Sequence, residues 1–109
     1  METGKALVSV DFSYLESVVG GEVSIVLEVL ELFRGQGPAW AEGLTVANPD
    51  WRAVAHTLKG AARGIGANAL GELCQAAEFG APEDLPAVRA ALDVVLADIA
   101  AYEAAQASA

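Results

Sequence analysis

The sequence predicts an all-α protein, an up-down antiparallel four-helix bundle with a short extra helix at its N-terminus. Three observations carry this. Hydrophobic residues are 54% of the 109, but aromatics are only 6%, so Ala, Leu and Val dominate and favour helices over strands. Apolar residues recur at three-four spacing in five stretches. Glycine and proline gather between those stretches, as connectors do. The length fits one domain over residues 1–109, with its core bundle at about 11–105.

The first helix is short. Asp11 can cap it, Phe12, Leu15 and Val19 recur at helical spacing, and Gly20 and Gly21 end it. The second begins near Glu22. Val26, Leu30, Phe33, Gly37, Trp40 and Leu44 hold one phase straight through "RGQGP". That argues for one helix bent at Pro38, not two helices. The third opens at Asn48-Pro49-Asp50, with Asn48 as N-cap, and runs to about Gly64; Gly66 permits a tight reversal. The fourth starts near Asn68, with Leu70, Leu73, Cys74 and Ala77 on one face. "FGAPEDLP" breaks the chain. The fifth carries Leu85, Val88, Leu92, Val95, Ile99 and Tyr102, the seam of an antiparallel bundle.

The formal charge of −9 excludes function classes. Nucleic acid and anionic membrane surfaces both call for a basic face. The lone cysteine, Cys74, reads as a small buried hydrophobe, and no Cys/His cluster suggests a metal. "METGKALVSV" lacks a long apolar run and a cleavage site, and "VSIVLEVLELF" is too short and acidic to cross a bilayer. A cytoplasmic location is expected, with no cofactor and no metal.

The chemistry concentrates in "AHTLKGAARGIGANAL", residues 55–70, which holds the only histidine. On a helical wheel Trp51, Val54, Leu58, Ala61, Ala62 and Ile65 fall within about 60° of the pole opposite His56. His56 therefore faces solvent. Arg52, Lys59 and Arg63, half of the chain's six cations, fall within about 60° of it. Gly60 lies on its other side and Gly64 a turn further. A mid-helix glycine costs about 1 kcal/mol against alanine. On a solvent face that cost has no packing return, and a bare patch beside an exposed imidazole suits close approach by another macromolecule.

A neutral imidazole is a good nucleophile near neutral pH. It can take a phosphoryl group, with nearby cations offsetting the charge in flight. Exposed ion pairs contribute about 0.2–1 kcal/mol, so Lys59 should tune the rate and stabilise the phosphorylated form without being indispensable. The chain has no Gly-rich phosphate loop and no "GKS" or "GKT". Any phosphoryl group therefore comes from a partner.

The stretch "AHTLKGAARGIGANALGELCQAAE" resembles the histidine-containing phosphotransfer (HPt) domains of two-component phosphorelays. The pattern is carried by His56, Leu58, Lys59, Gly60, Ala61, Ala62, Gly66, Ala67, Leu70, Leu73, Cys74 and Glu78. The resemblance implies a four-helix bundle whose exposed histidine shuttles phosphoryl groups between aspartates of receiver domains, in response regulators or hybrid histidine kinases. It implies that His56 is the phosphorylation site, Lys59 the cation beside the phosphate, and Gly60 the small residue that lets the receiver dock. Glu78 falls where members often carry glutamine or glutamate facing the histidine. Arg52 and Arg63 complete the candidate binding set. The magnesium used in transfer belongs to the receiver. The chain itself is then a phosphocarrier with no ATP-dependent turnover of its own, expected to be a monomer.

Two other classes compete. A docking module would bind receivers or kinases without carrying phosphate, but that fits Gln or Tyr at position 56 better than an intact histidine with its lysine and glycine. An acyl carrier needs a serine at a helix start, typically in "DSL", and no such tripeptide occurs.

Overall fold

The computed structural model describes residues 9–108. The opening residues 1–8, read above as lacking a leader, and Ala109 lie outside the described residues. Five α-helices are present among the described residues: α1 (Phe12–Val18), α2 (Val23–Gly43), α3 (Trp51–Gly64), α4 (Asn68–Glu78) and α5 (Leu85–Ser108). No strand occurs among the described residues. Helices α2 to α5 form the bundle: α3 packs on α2 and α4, and α5 packs on α4 and closes back on α2. No helix of the described residues is long and apolar enough to cross a membrane.

Each boundary has a local cause. Asp11 caps α1 by accepting from the Tyr14 amide at 3.1 Å. Gly20 and Gly21 leave that helix at φ of 67° and 83°, values at which side-chain-bearing residues are strained. Gly66 turns α3 into α4 at φ 85°, and its carbonyl accepts from the Asp11 amide at 3.0 Å. A three-residue 3-10 turn, Pro82–Asp84, leads into α5.

Helix α2 runs unbroken through Pro38, as the preserved hydrophobic phase required. Proline removes one backbone donor, but the apolar stripe continues across it, with Val26, Leu30, Phe33 and Gly37 buried before it and Trp40 and Ala41 packed against the core after it. Leu44, the residue after the helix, is fully buried.

Three expectations need correction. Asn48 does not cap α3; Asp50 occupies that position. The Asn48 side chain is used in the turn itself: its Oδ1 accepts from the Asp50 amide at 3.0 Å and its Nδ2 donates to the Gly43 carbonyl at 2.9 Å. The asparagine thus stabilises the link between α2 and α3, and Pro49 stands before the helix. Leu73, placed on the core face of α4, is 38% exposed, and Gly71 is buried in its place. A Cβ at Gly71 would come within 2.9 Å of the Arg63 Cγ, so α3 lies too close for a larger residue there. The buried face of α3 is also turned from the wheel's position. Trp51, Ala55, Leu58, Ala62 and Ile65 are buried, whereas Val54 and Ala61 are half-buried. That is a rotation of about 40° toward Ala55, onto the side that meets α4.

The core is apolar throughout, with no buried polar or charged residue among the described ones. Burying each large side chain stabilises by roughly 1.5–3 kcal/mol. Helix α1 is fastened separately, to α5. Phe12 stacks on Tyr102 at 4.4 Å between ring centroids, and the Tyr102 hydroxyl donates to Glu16 at 2.7 Å. Burial, then the Glu16 carboxylate, pushes the Tyr102 hydroxyl up to about 12. The Ser9 hydroxyl donates to the Asp98 carboxylate on the same helix.

Two glycine substitutions should separate by sign. Gly66→Ala should destabilise the fold by about 1 kcal/mol or more, because φ is positive and the new Cβ would meet the Asp11 carbonyl oxygen at 2.9 Å. Gly60→Ala should stabilise it by up to about 1 kcal/mol, because nothing lies within 4 Å of a Cβ there. Denaturant midpoints of the two variants against the parent chain check both.

Candidate functional site

His56 sits mid-way along α3 with its core-facing neighbours Ala55 and Leu58 fully buried. Its own side chain is 65% exposed. Glu78, the last residue of α4, reaches across to it: the Glu78 Oε2 lies 2.9 Å from His56 Nδ1. A carboxylate can only accept, so Nδ1 carries the proton of the neutral ring and Nε2 keeps its lone pair. The nitrogen turned away from Glu78 is therefore the nucleophilic one.

The other carboxylate oxygen of Glu78, Oε1, lies 2.9 Å from the Lys59 Nζ. Both side chains are only 14% exposed, so the pair is wedged in the seam between α3 and α4. The Lys59 ammonium beside Glu78 holds its carboxyl below the usual carboxylate range. Burial works against this, and the His56 contact adds to it. Lys59 Nζ also lies 5.5 Å from the centroid of the Phe79 ring.

All three cations predicted near His56 lean toward α4. Arg52 donates from Nη1 to the Glu78 carbonyl at 2.9 Å and the Gly80 carbonyl at 3.0 Å, and its guanidinium lies 4.3 Å from the Trp51 ring centroid. It thereby satisfies carbonyls that the end of α4 leaves unpaired, and holds the helix end that carries Glu78. Arg63 bonds the Gln75 Oε1 at 3.1 Å and lies along Gly71, further down the seam. The wheel placed these cations on the open face with the histidine. The turn of α3 toward α4 moves them into the seam, and Lys59 is the one brought to the carboxylate that holds the ring. Gly60 and Gly64 are on the opposite flank, and both have open space where a Cβ would stand.

Phe79 escaped the sequence reading. It is 73% exposed and lines a shallow depression with Arg52, Ala53, His56, Thr57 and Glu78. Ala53 and Thr57, three before and one after His56 on the same helix, were within reach of the wheel. Phe79 sits in the break after α4, where helical periodicity has stopped and gives no direction.

The comparisons with known proteins follow this geometry. A family model described as the Hpt domain matches residues 28–105, most of the chain. The chain belongs to the Hpt domain family of histidine phosphotransfer proteins. Among solved structures it is similar to the crystal structure of histidine phosphotransferase ShpA from Caulobacter crescentus. The two share 48% sequence identity over 92% of this chain and 95% of that one, with a TM-score of 0.82. No curated protein sequence matches the chain.

The lowered pKa of Glu78 has a consequence for stability. Its ordinary value is 4.5, and the folded state holds the carboxyl below that. The folded chain therefore binds this proton less readily than the unfolded chain. The stabilisation is complete above pH 4.5 and is lost as pH falls through the lowered folded value. Glu78→Gln should thus be less stable than the parent at neutral pH, and the gap should close on acidification. Denaturant unfolding of both chains across that range checks the sign.

Proposed function

We propose that His56 is the phosphoryl carrier of a phosphorelay, taking the group from a receiver-domain aspartate and passing it to the aspartate of another receiver. The observation that carries this reading is the bond between His56 Nδ1 and Glu78, which in the neutral ring leaves the lone pair on Nε2 of a largely exposed side chain. In the forward step Nε2 attacks the phosphorus of the aspartyl phosphate. The N–P bond forms, the bond from phosphorus to the aspartate oxygen breaks, and the carboxylate leaves with the electron pair. The ring becomes cationic, with its Nδ1 proton still held against Glu78. The reverse sequence on a second receiver returns the ring to its neutral form.

The surroundings suit a transfer between two proteins. Transfer of this kind is mostly positioning and charge neutralisation, so the site has little covalent machinery to supply. Lys59 provides a cation within one helical turn of the acceptor. The open flank at Gly60 provides room for the partner's surface. An acidic donor such as an aspartyl phosphate meets local positive charge here, on a chain whose net charge is −9.

The test is incubation with a panel of receiver domains phosphorylated on aspartate, following label onto this chain. Acid-labile, base-stable label should appear on the parent chain and fall below detection in His56→Gln, with the helical fold retained. Label persisting in that variant would place the acceptor elsewhere. Gly60→Leu should slow transfer by about tenfold or more by obstructing docking, with circular dichroism unchanged. Loss of helicity instead would show that Gly60 is needed for packing.

A further inference from the structure

Glu78 touches two groups at once, His56 through Oε2 and Lys59 through Oε1, each at 2.9 Å. Only the first contact orients the ring. The second occupies the cation that a phosphoryl group on His56 would need. We propose that Glu78 and a phosphoryl group on His56 compete for the Lys59 ammonium, so that Glu78 shortens the life of the phosphorylated state. The inference rests on His56 being the acceptor and assigns Glu78 a second effect at that site.

Few other cations can serve. Among the described residues Arg52 is bonded to the Glu78 and Gly80 carbonyls, Arg63 to Gln75, Arg34 to Glu103 and Arg89 to the Leu44 carbonyl. Lys59 lies three residues after His56, the spacing at which helical side chains are neighbours. Its side chain is largely enclosed, with the ammonium 2.9 Å from Glu78 Oε1. To reach a phosphoryl group on the exposed nitrogen it must leave the carboxylate or share its protons with it. A phosphoryl group carries up to two negative charges against one on Glu78, so the ammonium is drawn outward but not released without opposition.

The competition bears on hydrolysis. Water adds to phosphorus, the N–P bond breaks, its electron pair stays on Nε2, and phosphate leaves as the dihydrogen anion. The ring is left neutral with its proton on Nδ1. In a loose transition state the bond is largely broken before water bonds to phosphorus. The leaving phosphoryl unit then carries less negative charge on its oxygens than the intact phosphohistidine does. A cation resting on those oxygens favours the intact state over the transition state. Each interval that Lys59 spends on Glu78 removes that protection.

Phosphoramidate, a small donor that needs no docking surface, can load the histidine directly, transferring its phosphoryl group and releasing ammonia. After its removal, decay of the acid-labile label is followed in four chains: the parent, Glu78→Gln, Lys59→Met and the double variant. The Gln side chain keeps the shape of Glu78 but gives up its charge, and Met keeps the apolar stem of Lys59. Label on Glu78→Gln should outlive that on the parent about two- to fivefold, the scale of a single ion-pair contact. Label on Lys59→Met should decay faster than on the parent, and the double variant should match Lys59→Met. That dependence on Lys59 is what a merely structural effect of position 78 would not produce. An equal gain from Glu78→Gln in the Lys59→Met background would show that Glu78 acts on the ring alone, and would overturn the competition. So would an unchanged or shorter lifetime in Glu78→Gln. His56→Gln, run alongside, keeps the two readings apart: equal label on that variant overturns the assignment of His56 itself.

Discussion

Helices α3 and α4 lie close because many of the residues they bury are small. Ala55 and Ala62 on α3, and Gly71, Cys74 and Ala77 on α4, are among the buried residues of the two helices. Gly71 marks the limit, since the stem of Arg63 occupies the space a side chain there would take. Every feature of the site depends on this approach. It brings the last residue of α4 within hydrogen-bond distance of a histidine 22 positions earlier. It draws Lys59 off the open face into the seam, and lets Arg52 reach the carbonyls at the end of α4.

The two halves of α3 do different work. One face is apolar and wholly enclosed, and it fixes the helix against α2 and α4. The other face carries His56 and two glycines with open space beside them. A nucleophile on a packed helix is held more tightly than one on a loop, which matters where catalysis is mainly positioning. The bare flank leaves open space beside that imidazole. Among the described residues the core contains no buried charge, so the ionised groups of the site lie along the seam of α3 and α4, outside the fully buried apolar core.

Cys74 shows how the same packing silences a reactive group. It is fully buried on α4, and burial pushes its thiol up to about 11 even though Arg63 and Lys59 pull the other way. A thiol in that state is protonated at neutral pH and reads as one more small residue in the seam.

The sequence determined the helices, the bundle, the exposed histidine and the open glycine flank. All of these follow from spacing along one helix or from local turn chemistry, such as the positive φ at Gly20, Gly21 and Gly66. It also marked Glu78 as a residue that faces the histidine, through the resemblance of residues 55–78 to a known pattern. Only the tertiary structure decided which partners the charged side chains take. A wheel assumes that the core lies opposite the polar side, and here α4 buries a flank as well, which turns α3 by about 40° and carries Lys59 from solvent to Glu78. Leu73 was misplaced for the same reason, because the buried face of α4 is set by how close α3 comes over Gly71. Asn48 was misread because a capping side chain and a turn-forming one look alike until the preceding helix end, at Gly43, is in place to accept its hydrogen bond. Phe79 lay beyond any periodic signal, so its position beside His56 is a property of the assembled bundle.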